Sequence, residues 1–163
     1  MDQTTRRTLI AQYRAGYDEV AHALDGITER ELDARPAPGK WTPREIVHHL
    51  GDSEMTSAIR LRRLVAEDGP AIQGYDQDEY AARLHYDRPI GASLAAFRYA
   101  RESTVEILDR LTDEEWRRTG THSESGAYSV ERWLEIYAVH AHNHAAQIRR
   151  ARMVGRRPMS TDH

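Results

Sequence analysis

The chain has 163 residues, 39% apolar and 30% charged, with 23 basic against 26 acidic side chains and a formal net charge of −3; this fits one domain over residues 1–163 and argues against polyanion binding through global charge. There are no cysteines, which excludes a disulfide framework, thiolate metal sites and a cysteine nucleophile. No run approaches the roughly 20 apolar residues of a membrane span, and the opening MDQTTRRTLI lacks a signal-peptide stretch, so a cytoplasmic protein with no membrane partner is expected.

Leu9, Tyr13, Tyr17, Val20 and Leu24 recur every three or four positions and predict a first helix over 4–24. Pro36, Pro38 and Gly39 interrupt the pattern. Thr42-Pro43-Arg44-Glu45 then supplies an N-cap threonine, proline at the first helical position and glutamate at the third, opening a second helix from Pro43 to about Glu67 with Ile46, Leu50, Leu61 and Leu64 inward. Residues 68–89 form a connection far longer than the 2–8 residues usual in bundles, so a crossover or lid is expected. Leu94, Phe97, Thr104, Ile107, Leu108 and Leu111 mark a third helix over about 90–111, followed by a short capped turn from Thr112 through Trp116. Residues 118–128 read as a loop. Ser129 caps a fourth helix from Val130 to about Met153, with Trp133, Ile136, Tyr137, Ile148 and Ala151 on one side. No strand-like alternation stands out, so the expected fold class is all-α, a four-helix bundle with one long crossover connection.

Nine histidines lie at 22, 48, 49, 85, 122, 140, 142, 144 and 163. His140 and His144 share a helical face, whereas His142 is rotated roughly 200° from His140. Chance alone gives about 0.4 such pairs in this composition, so the spacing proves little. Placement says more. Both continue the apolar stripe of the fourth helix, where an unpaired polar ring is costly. On the second helix His49 lies one turn after Ile46, also inward, while His48 is turned about 100° away and is expected at the surface. Three neutral imidazoles leave a tetrahedral divalent ion one open position, as in catalytic sites. Imidazole-only ligation suits zinc, nickel, iron or copper about equally, so the residues leave the metal open; zinc or nickel is the first expectation, with iron, copper or manganese behind them. The alternative at this point is that each ring is simply a hydrogen-bonded core residue.

The segments Trp41-Thr-Pro-Arg-Glu-Ile-Val-His-His-Leu-Gly-Asp-Ser-Glu54 and Tyr137-Ala-Val-His-Ala-His-Asn-His-Ala-Ala-Gln-Ile148 resemble the two signature helices of the DinB/YfiT-like superfamily, closest to its YfiT-type branch. The similarity extends over Ile72-Gln-Gly-Tyr75-Asp76 and Thr121-His122-Ser-Glu-Ser-Gly126. It implies a four-helix bundle in which His49, His140 and His144 bind one divalent metal ion, and a homodimer. Many relatives carry a histidine where this chain has Asn143, a position not expected to coordinate. The resemblance implies a metal-dependent hydrolase acting on a small-molecule substrate. A metal-dependent S-transferase that conjugates a low-molecular-weight thiol to an electrophile stands beside it, and a non-enzymatic stress-response binding module is a third reading.

Asp52 lies one turn from His49 and is the candidate catalytic residue, either orienting the far nitrogen of that ring or taking a proton; a solvated helix carboxylate is the alternative. Gln147, three residues past His144, bridges helices or positions a ligand. Tyr75, with Asp76 and Tyr80, lies in the long crossover and lines a pocket mouth or merely packs. Ala141-His142-Asn143 lacks the glutamate of His-Glu-x-x-His metalloproteases, which argues against a zincin-like peptidase. The basic residues Arg149, Arg150, Arg152, Arg156 and Arg157 suit a helix C-terminus, and no aromatic residues interleave with them, so nucleic acid is not an expected partner.

Overall fold

The computed structural model describes residues 1–158. Helix α1 (Gln3–Ala23) starts where the Asp2 carboxylate accepts from the Thr5 amide at 2.7 Å. A single turn, α2 (Glu29–Leu32), follows, capped by Thr28. The predicted capping box of Thr42 and Glu45 is formed at the head of α3 (Pro43–Ala66), satisfying donors that a helix start leaves open. The long connection then carries a two-residue strand, β1 (Ala71–Ile72), and a short helix, α4 (Gln77–Arg83). Next come α5 (Gly91–Leu108) and a second capping box at α6 (Asp113–Trp116). Strands β2 (Thr119–His122) and β3 (Gly126–Ser129) lead directly into α7 (Val130–Arg156), whose first turn is capped by Ser129.

The four long helices close into a ring in which α1 packs on α7, α7 on α3, α3 on α5 and α5 on α1. Helices α1 and α3 therefore stand on one diagonal, and α5 and α7 on the other. Gly51 permits the close approach of α3 to the head of α5, because a Cβ there would lie 2.9 Å from the Ser93 carbonyl oxygen. No helix among the described residues is long and apolar enough to cross a membrane.

Two apolar clusters fill the bundle. One gathers Tyr13, Leu61, Leu64, Trp116, Trp133 and Tyr137; the other gathers Val20, Leu24, Ile46, Leu50, Phe97 and Ile148. Arg101 joins them. Its guanidinium lies 4.1 Å from the Tyr13 ring centroid and 5.0 Å from that of Phe97. It donates to Glu54 Oε2 and to the Tyr13 carbonyl, both at 2.9 Å, while the Tyr13 hydroxyl donates to the other Glu54 oxygen. A charge pair this deeply buried is tolerable only because its hydrogen bonds are made.

Residues 118–128, expected as a loop, instead contribute the hairpin β2–β3, and β1 adds in parallel to give the order β1-β2-β3. Sequence periodicity misses this sheet for a physical reason. The inward position on β2 is Gly120, packed against Leu64 and the Pro70 carbonyl, so β2 itself carries no apolar side chain, and Tyr128 opposite it on β3 and Ile72 on β1 are too isolated to form an alternating pattern.

Candidate metal centre

His49 on α3 and His140 and His144 on α7 converge in the bundle, each offering a ring nitrogen within 4.8 Å of the other two. Nε2 of His140 is 3.2 Å from Nε2 of His144. Two imidazole nitrogens on one tetrahedral ion, each about 2.05 Å from it, would be separated by about 3.3 Å. The observed spacing fits.

Hydrogen bonding decides the tautomer of one ring. Gln147 Oε1 is 2.8 Å from His144 Nδ1 and, being a carbonyl oxygen, can only accept. Nδ1 of His144 thus carries the proton, and its Nε2 presents a lone pair to the cluster. Among the described residues neither nitrogen of His49, nor Nδ1 of His140, has a hydrogen-bond partner, although all three atoms are buried. Buried polar atoms without partners are costly, and a cation shared by the trio removes part of that cost. Burial, reinforced by the neighbouring His144, pushes the His49 imidazole down to about 3. Burial also lowers His140 well below the usual histidine range, helped by the other two rings, and lowers His144. At neutral pH the rings are therefore uncharged, the state a metal ligand requires.

An apolar collar holds the rings. Trp41 packs against His49 at a tilt of 47° with centroids 4.7 Å apart, and Tyr137 meets His140 edge-on at 5.6 Å. No role was expected for Trp41, yet a local signal exists. It immediately precedes the N-cap Thr42, and Ile46 is the fourth helical residue, the arrangement in which an apolar pair staples a helix start. One turn beyond Ile46 lies His49.

His48 corrects an expectation. It is fully buried rather than at the surface. Its Nε2 donates to the Arg88 carbonyl at 2.8 Å, so the neutral ring accepts at Nδ1 from the Ser93 hydroxyl at 2.7 Å. Helical phase showed only that His48 points away from the bundle centre. The crossover folds back over that face, and this contact is remote in sequence.

Asp52 also departs from expectation. The hydrogen bond to His49 suggested by their one-turn spacing is not formed; Asp52 Oδ2 accepts from the Tyr86 hydroxyl at 2.6 Å. Asp52 and His48 therefore both tie α3 to the end of the crossover. Tyr75 stacks on Tyr80 with centroids 4.5 Å apart and lies 5.9 Å from the Arg60 guanidinium. Arg60 also donates to the Tyr137 hydroxyl at 3.2 Å, linking the crossover to the helix that carries His140. The helix-start Asp76 caps α4. Of the remaining histidines, His142 donates from Nε2 to the Gln12 carbonyl at 2.8 Å and serves the α1–α7 contact, His122 accepts at Nδ1 from the Glu124 amide at 3.1 Å within the hairpin, His22 and His85 are exposed, and His163 lies outside the described residues.

A four-helix bundle with three imidazoles from two helices around one point defines a helical metalloprotein class, and the comparisons with known proteins agree. The chain belongs to the DinB superfamily, whose pattern matches residues 12–148. A protein of Oceanobacillus iheyensis bearing the name "putative metal-dependent hydrolase" is 35% identical over 122 residues, covering 75% of this chain and 71% of its own length. A Halalkalibacterium halodurans protein of the same description is 29% identical over 131 residues, covering 80% and 77%. Among solved structures, YfiT from Bacillus subtilis, described as a probable metal-dependent hydrolase with an unusual four-helix bundle topology, superposes with a TM-score of 0.85 at 28% identity, covering 91% of this chain and 86% of that one.

Proposed function

We propose that this protein is a divalent-metal-dependent hydrolase whose ion is held by His49, His140 and His144. One observation carries the reading: three uncharged imidazoles, His49 buried and His140 and His144 half-buried, converge from two helices with a ligand-like separation of 3.2 Å between the His140 and His144 Nε2 atoms and with His49 otherwise unpartnered. The names of the relatives point the same way. A three-imidazole divalent ion supplies a Lewis-acidic position that lowers the pKa of water toward about 7.

The chain's own residues set the conditions for that chemistry. Gln147 holds His144 in the tautomer that leaves Nε2 bare. Trp41 and Tyr137 flank the rings, excluding water from their far sides and preserving their orientation. Asp52, engaged by Tyr86, anchors the crossover rather than orienting His49. Zinc and nickel both suit this donor set.

The test is metal analysis of the purified protein followed by turnover assays on small esters and amides. About one ion per chain, and hydrolysis lost on chelation and restored by zinc or nickel, is the expected result. Absence of bound metal after incubation with either ion overturns the proposal. The same ion would accept a thiolate, so a chlorobimane arm with and without a low-molecular-weight thiol is run in parallel. Conjugation without hydrolysis would replace the hydrolase reading by an S-transferase.

A further inference from the structure

Beside His144 the surface opens into a cleft of about 470 Å³, lined among others by Lys40, Trp41, Ile46, Asp78, Gln147 and Arg150. Three parts of the chain meet there: the loop before α3, the first turn of α4, and the face of α7 that carries His144. The cleft therefore holds one ring of the imidazole trio, His144, and two cations, Lys40 and Arg150. Arg150 is six residues past His144, about 9 Å along the helix axis.

The charges of α7 make Arg150 distinct from its neighbours. Arg149 pairs with Glu19, and Arg152 and Arg156 pair with Glu31. Among the described residues Arg150 has no such partner. Neither has Lys40, the single lysine of the chain. Their one opposing charge in the cleft is Asp78, so the lining carries a net charge of about +1 in a protein whose formal net charge is −3. The same lining includes apolar surface from the half-buried Trp41 and the buried Ile46.

We propose that this cleft takes a small substrate with a monoanionic carboxylate, held by Lys40 and Arg150, and an apolar body lying on Trp41 and Ile46 beside His144. The assignment rests on the hydrolase reading, which places the reacting bond at the His144 end. A guanidinium and an ammonium both suit a carboxylate, and the planar guanidinium adds paired hydrogen bonds. A phosphate dianion would bring excess negative charge toward Asp78, and the monoanion is therefore favoured.

Metal-loaded protein is titrated by calorimetry with 3-phenylpropionate, the neutral 3-phenylpropionamide and phenyl phosphate, alongside the double variant Lys40→Gln/Arg150→Gln. Both positions are exposed, so the variant is expected to fold, as circular dichroism will verify. The carboxylate should bind tightest of the three, and the double variant should weaken it about tenfold while leaving the amide and the metal content unchanged. Equal affinity for carboxylate and amide overturns the assignment, as does failure to bind any probe. Carboxylate affinity unaffected by the variant also overturns it, since the anion would then sit on the ion. Tighter binding of phenyl phosphate, lost in the variant, overturns the monoanion. Failure of the hydrolase reading shows separately, as missing metal or missing turnover in the wild-type protein, while the carboxylate–amide contrast still reports on Lys40 and Arg150.

Discussion

Gln147 and His144, three residues apart on α7, share one 2.8 Å hydrogen bond, and that bond determines which nitrogen of the imidazole is left bare. Both side chains also line the cleft, so the same contact connects the ligand trio to the surface a substrate would enter. Replacing the amide by an apolar residue of similar size should free the ring to change tautomer and rotate. Gln147→Leu is expected to weaken metal affinity about 10–100-fold, the usual loss when a partner behind a metal ligand is removed. Competition against a chromogenic chelator measures it; an unchanged affinity would show that Gln147 does not orient the ring.

His48 and His49 are adjacent in sequence and should separate cleanly in experiment. His48→Ala removes one buried and one partly buried hydrogen bond and should cost about 2–4 kcal/mol of stability in urea unfolding, with bound metal retained. His49→Ala should abolish stoichiometric metal binding. It should leave metal-free stability equal or higher, because it removes a buried ring whose nitrogens have no partners. The reverse pattern would exchange their assigned roles.

His140→Ala should lose bound metal while keeping nearly all helicity by circular dichroism. The position contributes a ligand nitrogen, and α7 is anchored elsewhere by Trp133, Leu134, Ala141 and Ile148. Full metal stoichiometry in this variant would rule the three-imidazole centre out.

Asp52→Asn retains an oxygen that can accept from Tyr86, so the crossover should stay in place. If Asp52 anchors, turnover should fall less than about tenfold. A general base in that position would instead show a loss of about 100-fold or more, and steady-state kinetics distinguish the two.

Arg101→Met leaves Glu54 buried without its guanidinium partner, and the expected destabilisation is about 3–5 kcal/mol. A loss under 1 kcal/mol in denaturant unfolding would mean that the carboxylate finds another partner or takes up a proton at little cost.

Much of this molecule was legible in the order of its residues, because the four long helices depend on local rules. The capping box at Thr42, the stripe from Leu9 to Leu24 and the serine before Val130 each act within a few positions, and the helices begin and end within a few residues of where those signals put them. The spacing of His140 and His144 is likewise local, being one helical turn. Contacts between remote segments could not be read that way. Helical phase distinguishes inward from outward only relative to a neighbour already known, and so it could not foresee that Arg88 and Ser93 would return to cover His48 or that Tyr86 would claim Asp52. The hairpin at 119–129 gives little periodic signal because one of its two buried positions is Gly120, which leaves Tyr128 as its single buried apolar side chain. Whether His49 would meet the other two rings, and whether Lys40 and Arg150 would share one cleft, depended on the ring order of the helices; that order follows from packing and chain reversal summed over the whole bundle.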